Sequence, residues 1–363
     1  MTTAWTRDDV KVLARQDISR LPVLSADQVT RPDADLYYWD MWPVQDRDGA
    51  IADIRGREFW MILTAPDNGD PEARHFAAKI HLLERLGESW RDLGTLLPDF
   101  GGPYEREWSG SAIWDGQRFT LWFTGAGLRE RPGGYQQALF ETTASIDEQG
   151  LPTGWARPQQ ILAALSDDYI PADAHEGEAG LIKAYRDPAY FRDPKDGAEF
   201  LVITASRPAP GSDYTGAIGF ARKTGGQWQL LAPLIHAGGV NNEMERAHIV
   251  FHDGRYFAFW VTQSSTFAPG LENAPTGLYG MVADQLEGPY LPLNGSGLVV
   301  ANPVDRPFQA YSWSVTRELL VSSFVASMNA DCSDFAGAPA PLVKLTLDAG
   351  RKRAWLETFG AKG

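Results

Sequence analysis

The chain has 363 residues, 44% hydrophobic and 22% charged, a balance that allows a sizeable buried core and excludes a disordered polymer. Its formal net charge of −14 would repel a phosphate backbone or an anionic membrane surface, and no Lys/Arg cluster offsets it. The single cysteine, Cys332, excludes an intrachain disulfide and a metal site built on several cysteines.

The stretch from Met1 to Asp17 mixes charged residues with short apolar pairs and lacks the apolar core of a signal peptide. No segment approaches membrane-spanning length, so the expected location is the cytoplasm, or the exterior by a route that leaves no cleavable leader. Thr6, with Asp9 three residues later, has the spacing of a capping box and predicts a short helix through Val10 and Leu13. Ser25 is a candidate cap for a second short helix ending at Val29. Beyond residue 30 the chain reads as strands of Val, Ile, Thr and aromatic residues punctuated by turns. Asp48-Gly49 and Arg55-Gly56 lead into Phe59–Thr64, and Asp115-Gly116 joins Ala112–Trp114 to Phe119–Phe123. Asp196-Gly197 precedes Phe200–Thr204, Asp253-Gly254 joins Ile249–Phe251 to Tyr256–Val261, and Thr316-Arg317-Glu318 joins Ser312–Val315 to Leu319–Phe324. Five hairpins at this spacing predict radial repetition with one sheet per blade. The expected fold is all-β, a single-domain five-bladed β-propeller (31–363) behind an N-terminal extension with a short helix (1–30). Two β-sandwich domains are the alternative, but no linker separates them.

What precedes each turn is informative. Asp40 lies nine residues before Gly49, Glu107 nine before Gly116, Asp187 ten before Gly197 and Glu245 nine before Gly254; Gln309 and Tyr311 hold the corresponding place in the fifth unit. Inner strands of a propeller run in one direction around the channel, so their starts meet at one mouth. Carboxylates there, walled by Trp39, Trp42 and Trp108, suit a sugar pocket, because aromatic faces stack on the C–H faces of sugar rings. Retaining cleavage of a glycosidic bond needs one carboxylate as nucleophile and one carboxylic acid as proton donor; Asp40, Glu107, Asp187, Glu243 and Glu245 are the candidates. Glu243 and Glu245, two apart, would face the same way on a strand. Each acid alone could be a turn former or a surface group, and their matched offsets make the case. His248 and His252 lie four apart in a strand-like run, which gives no common helical face for a metal. Gly125-Ala126-Gly127 lacks the third glycine of a dinucleotide loop, and Ser109, Ser111 and Ser296 are not in a nucleophile elbow.

The motifs Trp39-Asp40-Met41-Trp42-Pro43, Glu107-Trp108-Ser109-Gly110, Arg186-Asp187-Pro188 and Glu243-Met244-Glu245-Arg246 together resemble the levansucrases and inulosucrases of glycoside hydrolase family 68. Leu286–Tyr290, Asn294–Leu298, Pro307–Ser312 and the opening Trp5-Thr6-Arg7 are similar to the Gram-negative branch. The resemblance implies a five-bladed propeller that takes sucrose as fructosyl donor and works through a covalent fructosyl-enzyme. It implies Asp40 as nucleophile, Asp187 as transition-state stabiliser and Glu245 as general acid/base. Trp39, Trp108, Ser109, Arg186, Glu243 and Tyr311 resemble the family's substrate-binding residues, and Gln263 holds a binding position usually occupied by Arg or His. The implied ligands are sucrose, fructose, glucose, and fructo-oligosaccharides or levan. Asn242 stands where the Gram-positive branch has a calcium-binding Asp, so neither metal nor cofactor is expected. The segment Leu181–Tyr185 departs from the family pattern, and the chain is short for the group. A β-fructofuranosidase on the same scaffold is the nearest rival reading, and a non-catalytic sugar-binding propeller a remote one. No nucleic acid or membrane partner is expected, and a monomer is the default.

Overall fold

The computed structural model describes residues 2–172 and 183–357, so Leu181 and Ile182, at the head of the divergent segment, and the last six residues of the expected propeller range lie outside the described residues. Five antiparallel units follow one another along the chain. Their innermost strands are Leu36–Gln45, Arg106–Trp114, Tyr185–Arg192, Glu245–His252 and Ala310–Val315. Each inner strand packs against those of both neighbouring units, and the fifth returns to the first, which closes the ring. Between the first two units the contact becomes a parallel pairing, Val44 with Ala112 and Gln45 with Ile113. The architecture is the five-bladed all-β propeller expected from the sequence.

The second strand of each blade lies between neighbouring sheets and is covered on both faces. Phe59–Pro66, Glu199–Ser206 and Arg255–Thr262 are accordingly buried along almost their whole length, and they read as continuous apolar runs rather than alternating ones. Outer strands such as Gln227–His236 alternate toward solvent. The hairpin turns carry the chemistry their geometry needs: Asp253 (φ 48°) and Gly254 (φ 77°) close a two-residue loop between paired His252 and Arg255, where both central residues need positive φ.

The N-terminal segment ties blades together. Thr6 accepts from the Asp9 amide and Asp9 reaches back to the Thr6 amide, capping helix Arg7–Lys11 as the spacing predicted. The second helical signal yields only the 3-10 turn Ala26–Gln28 behind Ser25. Thr3–Ala4 adds a parallel strand to the outer edge of blade 3. Trp5 enters the core between blades 3 and 4, with its ring 5.2 Å from those of Trp260 and Tyr279 and its Nε1 donating to the Ser296 carbonyl at 2.9 Å. No helix among the described residues is long and apolar enough to cross a membrane.

Candidate active site

Every inner strand breaks its pairing register at the same level. The irregularities fall at Asp40, at Ser109, between Arg186 and Ala189, between Glu245 and His248, and between Tyr311 and Ser314. A bulge adds a residue on one strand and re-aims its side chain. Three of the bulged residues, Asp187, Arg246 and Ser312, have φ of 57°, 51° and 60°, a region that costs a non-glycine residue about 1–3 kcal/mol.

Bonds between blades hold this strained layer. Ser109 Oγ donates to Asp40 Oδ2 at 2.5 Å, from blade 2 to blade 1. Thr124 Oγ1 accepts from the Asp187 amide at 2.8 Å, and Thr204 Oγ1 donates to Asp187 Oδ2 at 3.0 Å. The Arg246 amide reaches the same oxygen at 3.4 Å, while its guanidinium donates to Ser312 Oγ at 2.9 Å and to the Met41 carbonyl at 3.1 Å. The layer is thus braced through all five blades.

Arg186 lies at the centre of the acids. Its Nη2 is 2.7 Å from Glu245 Oε1 and 3.4 Å from Glu243 Oε1, and its Nε is 3.6 Å from Asp187 Oδ2. Burial alone would lower its pKa, but the charges of Glu243, Glu245 and Asp187 outweigh it and hold the guanidinium above its ordinary value. Tyr311 donates its hydroxyl to Glu245 Oε2. Glu245 keeps 17% of its side chain exposed, against 6% for Glu243 and 7% for Asp187. Arg186 Nη1 is buried with no hydrogen-bond partner, a donor left available in the middle of the cluster.

The acids differ in environment. Burial, opposed by Arg186 and reinforced by Asp40, pushes Asp187 up to about 6. Burial, followed by the charge of Glu245, pushes Glu243 up to about 8 against the pull of Arg186. Near neutral pH the pocket therefore holds a neutral Glu243.

Of the residues expected at the site, Asp40, Ser109, Arg186, Asp187, Glu243, Glu245 and Tyr311 meet in this network. Trp39 and Trp108 frame it through His75: the Trp39 ring is 6.2 Å from the imidazole, and Trp108 Nε1 donates to the His75 carbonyl at 3.2 Å. Glu243 and Glu245 converge although Glu243 precedes the strand that Glu245 begins, so shared strand parity is not what aligns them. Gln263 is exposed at the end of the strand paired with Glu245, capping the turn Ser264–Thr266.

Glu107, Gln309 and Trp42, expected at the mouth, lie elsewhere. Glu107 turns between blades 1 and 2, where it accepts from Lys79 Nζ at 2.9 Å and the Ile80 amide at 3.0 Å. Gln309 clamps the N-terminal segment, accepting from the Leu24 amide at 2.8 Å and donating to the Pro22 carbonyl at 2.9 Å. Trp42 walls not the mouth but a cavity of about 340 Å³ on the far side of the acid layer, with Arg246 over its ring at 5.4 Å. The motif histidine His248 is a strap: Nδ1 donates to the Arg246 carbonyl at 2.8 Å and Nε2 accepts from the Val315 amide at 2.9 Å. Burial pushes it down to about 4, so it stays neutral.

The sequence model of the levansucrase/invertase family matches residues 1–213 and 210–358, nearly the whole chain. The chain belongs to this family. A levansucrase of Pseudomonas syringae pv. actinidiae is 31% identical over 399 residues, covering 96% of this chain and 90% of that protein. The levansucrase of Erwinia amylovora is 31% identical over 401 residues, covering 96% and 93%. Among solved structures, an inulosucrase from Halalkalicoccus jeotgali bound to kestose superposes with a TM-score of 0.86 at 33% identity, covering 98% of this chain and 95% of that one.

Two features of this levansucrase/invertase family member escaped the sequence reading. The turn Pro71–Phe76 brings Arg74 and His75 to the mouth; burial and then Arg74 push His75 down to about 3, so it is an uncharged neighbour of Asp40. A loop between the second and third strands of a blade has no fixed offset from an Asp-Gly turn, so no signal marked it. Lys183, in the divergent segment, donates to the Asp213 carbonyl at 2.5 Å and to Asn242 Oδ1 at 3.1 Å, so a lysine ammonium adjoins the Asn242 that departs from the calcium-binding pattern. Among the described residues no group of three or more His, Cys, Asp and Glu is arranged to hold a metal ion.

Proposed function

We propose that the chain is a fructosyltransferase that splits sucrose with retention through a covalent fructosyl-enzyme and passes the fructosyl group to a sugar or to water. The observation that carries this reading is the meeting of Asp40, Asp187 and Glu245 from the inner strands of three different blades: Asp187 and Glu245 lie around Arg186 with its unpartnered Nη1 donor, and the charge of Asp40 acts on Asp187. Membership of the levansucrase/invertase family supports it.

The residues suit separate tasks. Asp40, half-buried and oriented by the Ser109 hydroxyl, attacks the anomeric carbon of the fructosyl ring. Glu245, the most exposed of the acids around Arg186, gives its proton to the glycosidic oxygen, and glucose leaves with the bonding electron pair. In the second step Glu245 takes the proton of the acceptor hydroxyl as that oxygen attacks the same carbon and Asp40 departs. Asp187, fixed by Thr204 and the Arg246 amide, places a carboxylate against the ring hydroxyls and the positive charge that develops on the ring. Neutral Glu243 and the free Arg186 donor offer hydrogen bonds to the fructosyl hydroxyls. Sucrose and fructan-type sugars are the ligands that fit this site. Incubation with concentrated sucrose should release glucose in excess of fructose and yield oligosaccharides. Glucose and fructose in equal amounts would make water the main acceptor, and no cleavage would sink the reading.

A further inference from the structure

Among the described residues, the exposed Phe and Trp side chains are Phe76, Phe308 and Trp355. Phe76 connects directly to the site. It follows His75, whose carbonyl accepts from Trp108, and it stands 45% exposed at the mouth between blades 1 and 2. The Arg106 guanidinium lies between two aromatic faces, 4.9 Å from the Phe76 ring centroid and 5.4 Å from that of Trp108. On the outer side Tyr135 meets Phe76 edge-on at 5.7 Å and 74°. The result is a ladder, Trp108–Arg106–Phe76–Tyr135, that leads outward from the acids.

The ladder is braced from below. Arg106 is buried, donates to Glu105 Oε2 at 2.7 Å and also bonds the Gly134 carbonyl, which anchors the loop that carries Tyr135. Glu105 in turn accepts from the Gly133 amide at 3.0 Å. Arg106 covers one face of Phe76 and Tyr135 meets its edge, while nearly half of the side chain remains open to solvent. A rigid aromatic surface costs little conformational entropy when a ligand stacks on it. Nothing in the catalytic step needs Phe76, yet an apolar ring held open to water beside a sugar pocket matches the C–H face of another sugar.

We propose that Phe76 and Tyr135 form a distal acceptor site for the second and third units of a growing fructosyl oligosaccharide. The proposal rests on the fructosyltransferase reading above. Acceptors long enough to reach the ladder are retained and extended, whereas shorter ones are held by the acid pocket alone. The length of the products then depends on residues that never meet the reacting bond.

Phe76→Ala, Tyr135→Ala and the double substitution test this. On concentrated sucrose, the ratio of products longer than the trisaccharide to glucose released should fall about five- to tenfold in the double variant, the equivalent of about 1–1.4 kcal/mol of lost stacking. Phe76→Trp should restore it. Binding provides a second readout that does not depend on turnover. In an Asp40→Ala background, the preference for a tetrasaccharide of the kestose series over sucrose should fall by a similar factor when Phe76 is removed. A product ratio and a binding preference both unchanged in the double variant would overturn the ladder while leaving the sucrose chemistry intact. A wild-type protein that releases no glucose from sucrose would overturn the reading beneath it.

Discussion

Replacement of Glu243 by Gln should stabilise the protein at alkaline pH, in proportion to how strongly burial resists ionisation there. Glu243 has 6% of its side chain exposed and lies beside Glu245 on one guanidinium, and its pKa rises from an ordinary 4.5 to about 8. For an acid raised on folding, the unfolded chain releases its proton first. The stabilising difference is therefore complete below pH 4.5 and is lost as pH climbs through 8. At about 1.36 kcal/mol per pH unit the span amounts to at most about 5 kcal/mol. Gln keeps the volume and an oxygen that can accept from Arg186, but it cannot ionise. Urea unfolding at pH 5.5 and pH 8.5 would read the effect as the stability of the variant minus that of the wild type. That difference should grow by at least about 1 kcal/mol between the two pH values, with the other raised acids, Asp187 and Glu107, common to both proteins. An equal difference at both pH values would refute the burial of an ionisable Glu243.

Four further outcomes follow from the same geometry. The rate of sucrose cleavage should fall as pH drops through about 6, where Asp187 takes up its proton, and Asp187→Asn should remove that limb while lowering kcat by about 10²–10³-fold; a limb retained in the variant would assign it to another group. Trp5→Ala should cost about 3–5 kcal/mol of stability, through loss of packing against Trp260 and Tyr279, with kcat at low temperature close to that of the wild type; a change below 1 kcal/mol would mean that the N-terminal segment does not brace blades 3 and 4. Arg246→Lys keeps the charge but cannot reach both Ser312 and Met41 with a fork of donors, so kcat should drop more than tenfold with KM little changed; equal loss in both would point to general misfolding. Gln263→His or Arg should raise the ratio of transfer to hydrolysis several-fold at fixed sucrose, because a bond to a charged donor exceeds a neutral one by about 1 kcal/mol; an unchanged ratio would remove Gln263 from acceptor control.

The parts of this molecule that could be read from sequence are those set by local rules. Asp-Gly turns require positive φ, hairpins alternate or run apolar according to how many faces they bury, and Asp40, Glu107 and Glu245 stand at the same offset from the glycines of their turns. Orientation was less legible. Glu107 precedes Trp108 on the strand and so faces the blade interface when Trp108 faces the mouth, and the bulge at Ser109 then redirects the next side chain. Trp42 lies two residues past the bulge at Asp40 and lines the far cavity for that reason. Gln309 is engaged by a segment 285 residues away in sequence, a contact that no local pattern encodes. The Arg74–His75 turn and the Arg106 ladder depend on how two blades pack, and packing between blades leaves no period in the sequence.

The central claim is that Asp40 forms the covalent bond to the fructosyl unit. The most direct measurement is acid quenching of the wild-type protein during turnover of saturating sucrose, followed by peptide mass mapping. The expected result is one fructosyl unit on the peptide that contains Asp40, absent when Asp40→Asn is treated in the same way. A fructosyl unit on the peptide of Asp187 or Glu245, or unmodified protein throughout steady release of glucose, would contradict it.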